Sequence, residues 1–194
     1  MTEKDGDIMN VNNKTRMLTE GALCVALSLA LSYFKIPTGL SFGGFGGSID
    51  LVMVPLIIFA HRWGLLWGVF AGFAFGTLKY FLAGGTAVNI ASMMLDYSVA
   101  YACVGLAGLL KGKNVKKLPL AALLGCIGRF VIHFISGVTI YAEYMPETFL
   151  GMTMPSPFIY SILYNGTYML PNTVIAVLAC ALMIPVLNKV DKMH

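Results

Sequence analysis

The chain has 194 residues, of which 58% are hydrophobic and 11% are charged, and its mean hydropathy is +0.79. This composition excludes a soluble globular protein and indicates an integral membrane protein. The net charge is +4, but in a membrane protein the placement of Lys and Arg along the chain carries more information than their sum.

The predicted elements are helices that span the membrane. Since one span needs about 20 residues, the chain has room for about six spans and for no soluble domain beside them. Residues 1–16 are polar and are predicted to form a disordered cytoplasmic tail, and residues 17–194 a single membrane domain. The apolar segments are residues 17–34, 51–61, 63–82, 89–110, 118–142 and 158–187. We therefore predict an all-α membrane protein with six transmembrane helices.

The second segment is short. At about 1.5 Å per residue it covers roughly half of the hydrocarbon layer. The Gly-rich and aromatic loop before it, PTGLSFGGFGGSID at residues 37–50, could dip inward from one side of the membrane, provided that protein and not lipid covers it. Residues 51–82 could alternatively form one bent passage, but the charged pair His61-Arg62 favours an interfacial turn.

The basic residues predict the orientation. Ten of the 13 fall on one face of the six-span arrangement, namely Lys4, Lys14, Arg16, Arg62, Lys111, Lys113, Lys116, Lys117, Lys189 and Lys192. Only Lys35 and Lys79 fall on the other face, and Arg129 lies within a span. Because positive charge accumulates on the inner side, both termini are predicted to be cytoplasmic.

This orientation brings polar groups from three segments to one depth. Asp96 falls about two turns below the outer surface, because its segment runs inward. His133, Gly137 and Tyr141 are spaced four residues apart and share one face of the outward-running fifth segment. Tyr160, Tyr164, Asn165 and Tyr168 lie in the first turns of the sixth segment. Together they predict a pocket open to the exterior, without a polar path continuing to the cytoplasm.

The residue types in this pocket indicate a class of ligand. A carboxylate among aromatic faces suits an organic cation, and imidazole, amide and hydroxyl groups suit a flat heterocycle. One carboxylate and one histidine are too few ligands for a metal ion. We therefore expect a small aromatic cation as ligand, with neither a metal nor a cofactor.

Structural explanations for the same residues remain open. Tyr144 and Tyr160 could belong to an interfacial aromatic belt, and Asp96 could pair with Arg129 as an interhelical contact. Glu20 and Asp50 are interpreted as charges at helix ends or at the interface.

The first segment carries small residues at every fourth position, Ala22, Ala26 and Ala30. Such a stripe allows another helix to approach closely, and that helix could belong to this chain or to a partner.

Motifs of enzymes are missing from the sequence. It contains no GxxxxGK[ST] phosphate loop, GxSxG or HExxH motif, so neither ATP hydrolysis nor membrane hydrolase activity is expected. Cys24, Cys103, Cys126 and Cys180 lie in apolar runs without CxxC spacing and are interpreted as small hydrophobic residues.

Four segments carry a resemblance to a known family. They are GSIDLVMVPLIIFAHRWGLLWGVFAGFAFG at 47–76, MLDYSVAYACVGLAGL at 94–109, GRFVIHFISGVTIYAEYMP at 128–146 and PFIYSILYNGTYMLP at 157–171. With the alanine stripe, the chain after residue 17 resembles the thiamine-specific substrate-binding (S) component of energy-coupling factor (ECF) vitamin transporters, the ThiT family.

The resemblance implies which residues bind the vitamin. Asp96-Tyr97 corresponds to the family's acidic-Tyr pair, and further contacts correspond to His133, Gly137, Tyr141, Tyr160 and Asn165. Phe45 stands where family members can carry Trp, and Tyr141 is a smaller stacking surface than the Trp found there in some members. Arg129 and Tyr80 complete the candidate ligand-binding residues.

The resemblance also implies a mechanism. The protein would lie in the plasma membrane of a prokaryote and bind thiamine from outside with high affinity, and the outer loop at residues 35–50 would close over the vitamin. It would dock through Ala22, Ala26 and Ala30 on a transmembrane coupling subunit driven by two ATP-binding subunits, and toppling in the membrane would release the vitamin inside. No nucleic acid is expected as a partner. The alternatives are an S component for another vitamin or a thiamine precursor, an autonomous secondary carrier of a small organic cation, and a membrane enzyme.

Overall fold

The computed structural model describes residues 3–38 and 47–192 of the chain. Six helices follow one another: α1 (Glu3–Leu31), α2 (Met53–Trp63), α3 (Leu65–Leu82), α4 (Ile90–Leu110), α5 (Leu118–Thr139) and α6 (Pro157–Lys192). Two short antiparallel pairs connect them, β1 (Ile36–Pro37) with β2 (Ser48–Ile49) and β3 (Thr148–Phe149) with β4 (Met152–Thr153). The predicted fold class, a six-helix membrane protein, is confirmed.

Four helices of the described residues are long and apolar enough to cross a membrane. They are α3, α4, α5 together with the turn that precedes it (Val115–Thr139), and α6 as far as Lys189. Helix α2 has 11 residues, which confirms the predicted short second helix. At about 1.5 Å per residue it cannot cross the hydrocarbon layer by itself.

Helix α1 begins earlier than predicted. The structure continues it to Glu3, so the expectation of a disordered tail over residues 1–16 does not hold for residues 3–16. The physical reason lies in the side chains, since this stretch contains no proline and forms helix-type contacts. The Thr15 hydroxyl donates to the Val11 carbonyl at 3.0 Å, and Arg16 pairs with Glu20 at 2.9 Å, one turn further on.

Helices α2 and α3 form a tight hairpin. Gly64 separates them with φ +100°, a conformation that favours glycine. Ala60 and Gly68 lie four residues before and four residues after Gly64. They are so close that a Cβ on Gly68 would lie 3.1 Å from the Ala60 Cα. The alternative of one bent passage over residues 51–82 is therefore wrong.

Helix α3 packs against α4 through glycine. A Cβ on Gly72 would overlap the Tyr101 carbonyl oxygen, and a Cβ on Gly76 would overlap that of Tyr97. The absence of these two side chains lets the helix backbones touch. These contacts set α4 directly beside α3.

The central core lies between α2, α3, α4 and α5. Its largest fully buried side chains include Tyr101, Phe75, Met53, Leu56, Ile57 and Leu118. Beside this core, toward the end that carries the first strand pair, the helices leave room for a cavity.

Candidate functional site

The helices enclose a cavity of about 400 Å³, which is within the size range of small-molecule sites, about 300–1,000 Å³. Its walls come from α3, α4, α5 and α6 and from the segments beside β1 and β2. Eight of the predicted ligand-binding residues line it: Asp96, Tyr97, Arg129, His133, Gly137, Tyr141, Tyr160 and Asn165. The structure thus brings together residues that are up to 69 positions apart in the sequence.

Asp96 lies on an irregular part of α4. Residues Met94–Val99 form a π-helical turn, wider than the α-helix on either side. Such turns change the direction of side chains and are frequent at functional sites. The Asp96 carboxylate accepts one hydrogen bond from Ser136 Oγ at 2.9 Å and lies 3.0 Å from His133 Nδ1. It is therefore held in place by helix α5.

The state of His133 follows from its second neighbour. Arg129 Nε donates a hydrogen bond to His133 Nε2 at 3.2 Å, so Nε2 must carry a lone pair. The proton of the neutral ring is then on Nδ1, from which it is donated to Asp96 Oδ1. The alternative that Asp96 pairs directly with Arg129 is not what the structure has, because His133 lies between them.

Arg129 is held mainly by an aromatic ring. Its guanidinium carbon lies 4.3 Å from the centroid of the Tyr101 ring, which is a cation–π contact. Within the described part of the chain, no carboxylate is within ion-pair distance of Arg129. Its positive charge in the cavity wall is therefore not neutralised by direct pairing.

Aromatic side chains form the wall contributed by α6. Tyr160, Tyr164 and Tyr168 follow one another at successive turns, with ring centroids 5.6 Å and 6.0 Å apart. Phe149 of β3 packs edge-on against Tyr160 at 5.3 Å. Tyr160 and Tyr168 are buried, so the interpretation of Tyr160 as part of an interfacial belt does not describe its surroundings.

Gly137 and Asn165 join α5 to α6. A Cβ on Gly137 would overlap the Ser161 hydroxyl, so the backbone of α5 lies here directly against the Ser161 side chain of α6. Asn165 Nδ2 donates to the His133 carbonyl at 3.3 Å and to the Ser161 carbonyl at 2.9 Å, and Oδ1 accepts from the Tyr168 hydroxyl at 2.6 Å. Asn165 thereby fixes His133 and Tyr168 relative to each other.

Two further tyrosines, Tyr97 and Tyr141, line the cavity. The Tyr97 hydroxyl accepts from the Thr86 backbone N–H at 2.9 Å, which ties α4 to the connection after α3. Tyr141 follows the end of α5 and its hydroxyl bonds to Ser92. Burial raises the pKa of Tyr141 to about 12, so the hydroxyl remains neutral at physiological pH.

Among the predicted ligand-binding residues that the structure describes, Tyr80 is not one that lines the cavity. Tyr80 lies behind Tyr97, with the ring centroids 5.2 Å apart; the preceding residue of α3, Lys79, takes the position that faces the cavity. Phe45 lies outside the described residues.

Two polar residues, Lys79 and Asp50, lie in or beside the cavity wall and not at their predicted positions. Lys79, interpreted as an outer-face residue, is only 8% exposed and lines the cavity, where it donates to the Tyr101 hydroxyl at 2.6 Å. Asp50, interpreted as an interfacial charge, is buried and forms an ion pair with Lys79 at 3.3 Å. The sequence does show that Asp50 and Lys79 carry opposite charges in otherwise apolar surroundings. In a membrane protein such charges are usually paired, so this pattern could have indicated the ion pair.

Glu20 is also more than an interfacial charge. Its Oε1 pairs with Arg16, and its Oε2 both lies 3.3 Å from Arg62 Nε and accepts from Trp63 Nε1 at 2.7 Å. These contacts attach α1 to the α2–α3 hairpin.

The alanine stripe of α1 faces away from the other helices of the chain. Ala22, Ala26 and Ala30 are all exposed, whereas Ser28 and Ser32 on the same helix are buried against the rest of the protein. The alternative that the stripe packs against this chain's own helices is therefore wrong for the described residues.

The chemistry of the cavity favours a flat organic cation. An oriented carboxylate, a row of tyrosine rings, and a set of hydroxyl and amide groups surround one space. Among the described residues, no three His, Cys, Asp or Glu side chains cluster in a way that could hold a metal ion.

Comparisons with known proteins agree on one family. The family described as thiamine transporter protein (Thia_YuaJ) matches residues 18–192. The chain is similar to the thiamine transporter ThiT of Bacillus subtilis, with 30% identity over 95% of this chain and 100% of the relative. It is 28% identical to the thiamine transporter ThiT of Lacticaseibacillus paracasei, over 92% of this chain and 91% of the relative. A solved structure of ThiT from Listeria monocytogenes superposes with a TM-score of 0.75 at 21% identity, covering 91% of this chain and 98% of that one, and supports the fold.

Proposed function

Since the chain belongs to the thiamine transporter protein family, we propose that it is the thiamine-binding membrane subunit of an ECF-type importer. The chain is a multi-pass protein of a prokaryotic plasma membrane, and its family is one of transport proteins, not enzymes. The proposal adds the direction, the affinity and the partners: high-affinity capture of thiamine from outside, and delivery inward with an energising module.

One observation carries the choice of ligand. Asp96 lines the cavity with its carboxylate fixed by Ser136 and His133, and the tyrosine rings of α6 line the same cavity. Thiamine combines a cationic thiazolium ring with an aminopyrimidine ring. The carboxylate can offset the cationic charge, the tyrosines can stack on either ring, and the amide and hydroxyl groups can bond the pyrimidine.

Two observations support a partner that supplies energy. The sequence has no nucleotide-binding motif, so ATP hydrolysis must occur elsewhere if uptake is driven by ATP. The exposed alanines of α1 provide a flat surface on which a transmembrane coupling subunit can dock. That subunit would in turn bind two ATP-binding subunits.

Direct binding measurements on the purified protein test the ligand. Thiamine is expected to bind with a dissociation constant below 1 μM, a free energy of about −8 kcal/mol or better. Asp96→Asn is expected to weaken binding by at least tenfold, because it removes the charge while preserving the size of the side chain. The matched control is Glu143→Gln, the same change at an exposed carboxylate that does not line the cavity.

The outcomes separate the alternatives. Failure to bind thiamine, together with binding of another vitamin or a hydroxymethylpyrimidine precursor, would replace the ligand but leave the class. Uptake of thiamine by liposomes that contain only this chain, driven by an ion gradient, would contradict the need for a coupling subunit.

A further inference from the structure

The ion pair between Asp50 and Lys79 lies at the cavity wall and is not explained by the contacts that hold the ligand site together. Lys79 lines the cavity and is 10% exposed at its side chain, whereas the Asp50 side chain is 1% exposed and lies behind it. The ammonium group thus lies between the cavity and its carboxylate partner. Together with Arg129, it places two positive charges in a wall that also contains Asp96.

Asp50 is fixed in this position by four contacts. Its carboxylate accepts from Ser48 Oγ at 3.3 Å, from the Val52 N–H at 3.4 Å and from Lys79. Its backbone N–H donates to Asn172 Oδ1 at 2.8 Å, and Asn172 Nδ2 donates to the Ser48 carbonyl at 2.7 Å. Asn172 is fully buried, so α6 holds the carboxylate where it can compensate Lys79.

The charge balance of the site gives this arrangement a consequence. A cation that enters the cavity is attracted by the negative charge of Asp96 and repelled by the positive charges of Lys79 and Arg129. Both interactions are weakly screened because the site lies away from bulk water. No carboxylate of the described residues pairs with Arg129. The compensation of Lys79 by Asp50 therefore determines whether Asp96 dominates.

Resting on the function proposed above, we propose that Asp50 is a specificity-determining positioning residue: it neutralises Lys79 in the cavity wall and thereby allows the site to prefer a cationic ligand over a neutral one of the same shape. Asp50 acts through Lys79 and does not touch the ligand. Because its role is electrostatic, replacing Asp50 should change the ratio of the affinities for a cationic and a neutral ligand, and not only the stability of the protein.

The test compares thiamine with an uncharged isostere in which the quaternary ring nitrogen is replaced by carbon. Both are titrated against the purified full chain. Asp50→Asn is expected to weaken thiamine binding at least tenfold and binding of the isostere less than threefold, because only thiamine meets the uncompensated charge. The double variant Asp50→Asn with Lys79→Met removes both charges and is expected to restore the wild-type ratio.

Two further variants make the test independent of folding. Lys79→Gln leaves the negative charge in excess and is expected to shift the ratio at least threefold toward thiamine, so it tests the proposal even if Asp50→Asn does not fold. Glu20→Gln breaks an ion pair of similar chemistry away from the cavity and is expected to leave the ratio unchanged.

The proposal is overturned if Asp50→Asn weakens both ligands equally, which would indicate a purely structural role, or if it changes neither affinity. It is also overturned if Lys79→Gln shifts the ratio in the same direction as Asp50→Asn. A wild-type protein that binds neither compound would instead contradict the proposed function.

Discussion

At the scale of single residues, the site depends on where side chains are absent as well as where they are present. Gly137 allows α5 to touch α6 at Ser161, and Asn165 bonds across the same contact to the His133 carbonyl. The position of His133, and through it the orientation of Asp96, therefore depends on the distance between these two helices.

Gly137→Ala is expected to weaken thiamine binding about tenfold or more. The added methyl group would overlap the Ser161 hydroxyl, and overpacking of this kind costs about 1–3 kcal/mol, part of which is relieved by moving the helices apart. Titration of the purified variant with thiamine measures the effect.

Gly166→Ala is the matched control on the adjoining helix. Among the described residues, the nearest atom to its new Cβ would be Leu170 Cδ1 at 4.0 Å, so no overlap with them arises. Binding is expected to remain within twofold, and the helix should gain up to about 1 kcal/mol of stability. Equal losses of binding in both variants would contradict the role assigned to the contact at Gly137.

Eight of the predicted ligand-binding residues line the cavity, and several of them could be predicted because helical spacing and orientation place them at one depth. His133 and Gly137 on α5, and Tyr160 and Asn165 on α6, are examples. Asp50 and Lys79 could not be placed in this way, because their burial depends on how the chain before α2 packs against α3. Side chains of opposite sign in separate segments do not by themselves reveal that they meet.

At the scale of the elements, the six helices were predictable to within a few residues, except at the start of α1, because each contains an apolar run. The π-helical turn of α4 at Met94–Val99 was not. No sequence pattern in MLDYSV specifies one additional residue in a turn; the turn depends on the close packing of α4 against the glycines of α3 and on the bonds that Asp96 makes to α5. The early start of α1 was missed because polar residues were equated with disorder.

The exposed stripe of α1 leads to a prediction about docking. Ala26→Trp is expected to abolish thiamine uptake in cells that contain the coupling module while leaving the dissociation constant within twofold. The indole would project from an exposed position and prevent a partner helix from approaching, without reaching the cavity.

Transport of labelled thiamine and binding to the purified variant are measured side by side. Leu27→Trp, at a neighbouring position of α1 that is also exposed, is the control for a large residue outside the stripe. Loss of binding in Ala26→Trp, or normal uptake by it, would contradict docking through this surface.

At the scale of the whole molecule, the distribution of charge predicts the orientation. Lys117 precedes α5 and Glu143 follows its end, and both side chains are exposed. In cells whose protein carries no other accessible cysteine, Glu143→Cys should react with an impermeant maleimide from outside. Lys117→Cys should react only after the cells are permeabilised, because positively charged connections remain in the cytoplasm.

The reverse pattern of labelling would place the cavity on the cytoplasmic side and contradict capture from outside. Labelling of both positions in intact cells would indicate leakage, and the exposed Lys113→Cys in the same basic connection serves as the control for it.

Asn172 gives the molecule an order of assembly. It bonds Ser48 and Asp50, which precede it by 124 and 122 residues, so the wall around Lys79 is complete only after the last helix has entered the membrane. Contacts between such distant parts of a chain form late, because the intervening segments must first be in place. A nascent chain that lacks α6 therefore has an incomplete binding site. The ligand can bind and stabilise the protein only after α6 has been synthesised and inserted.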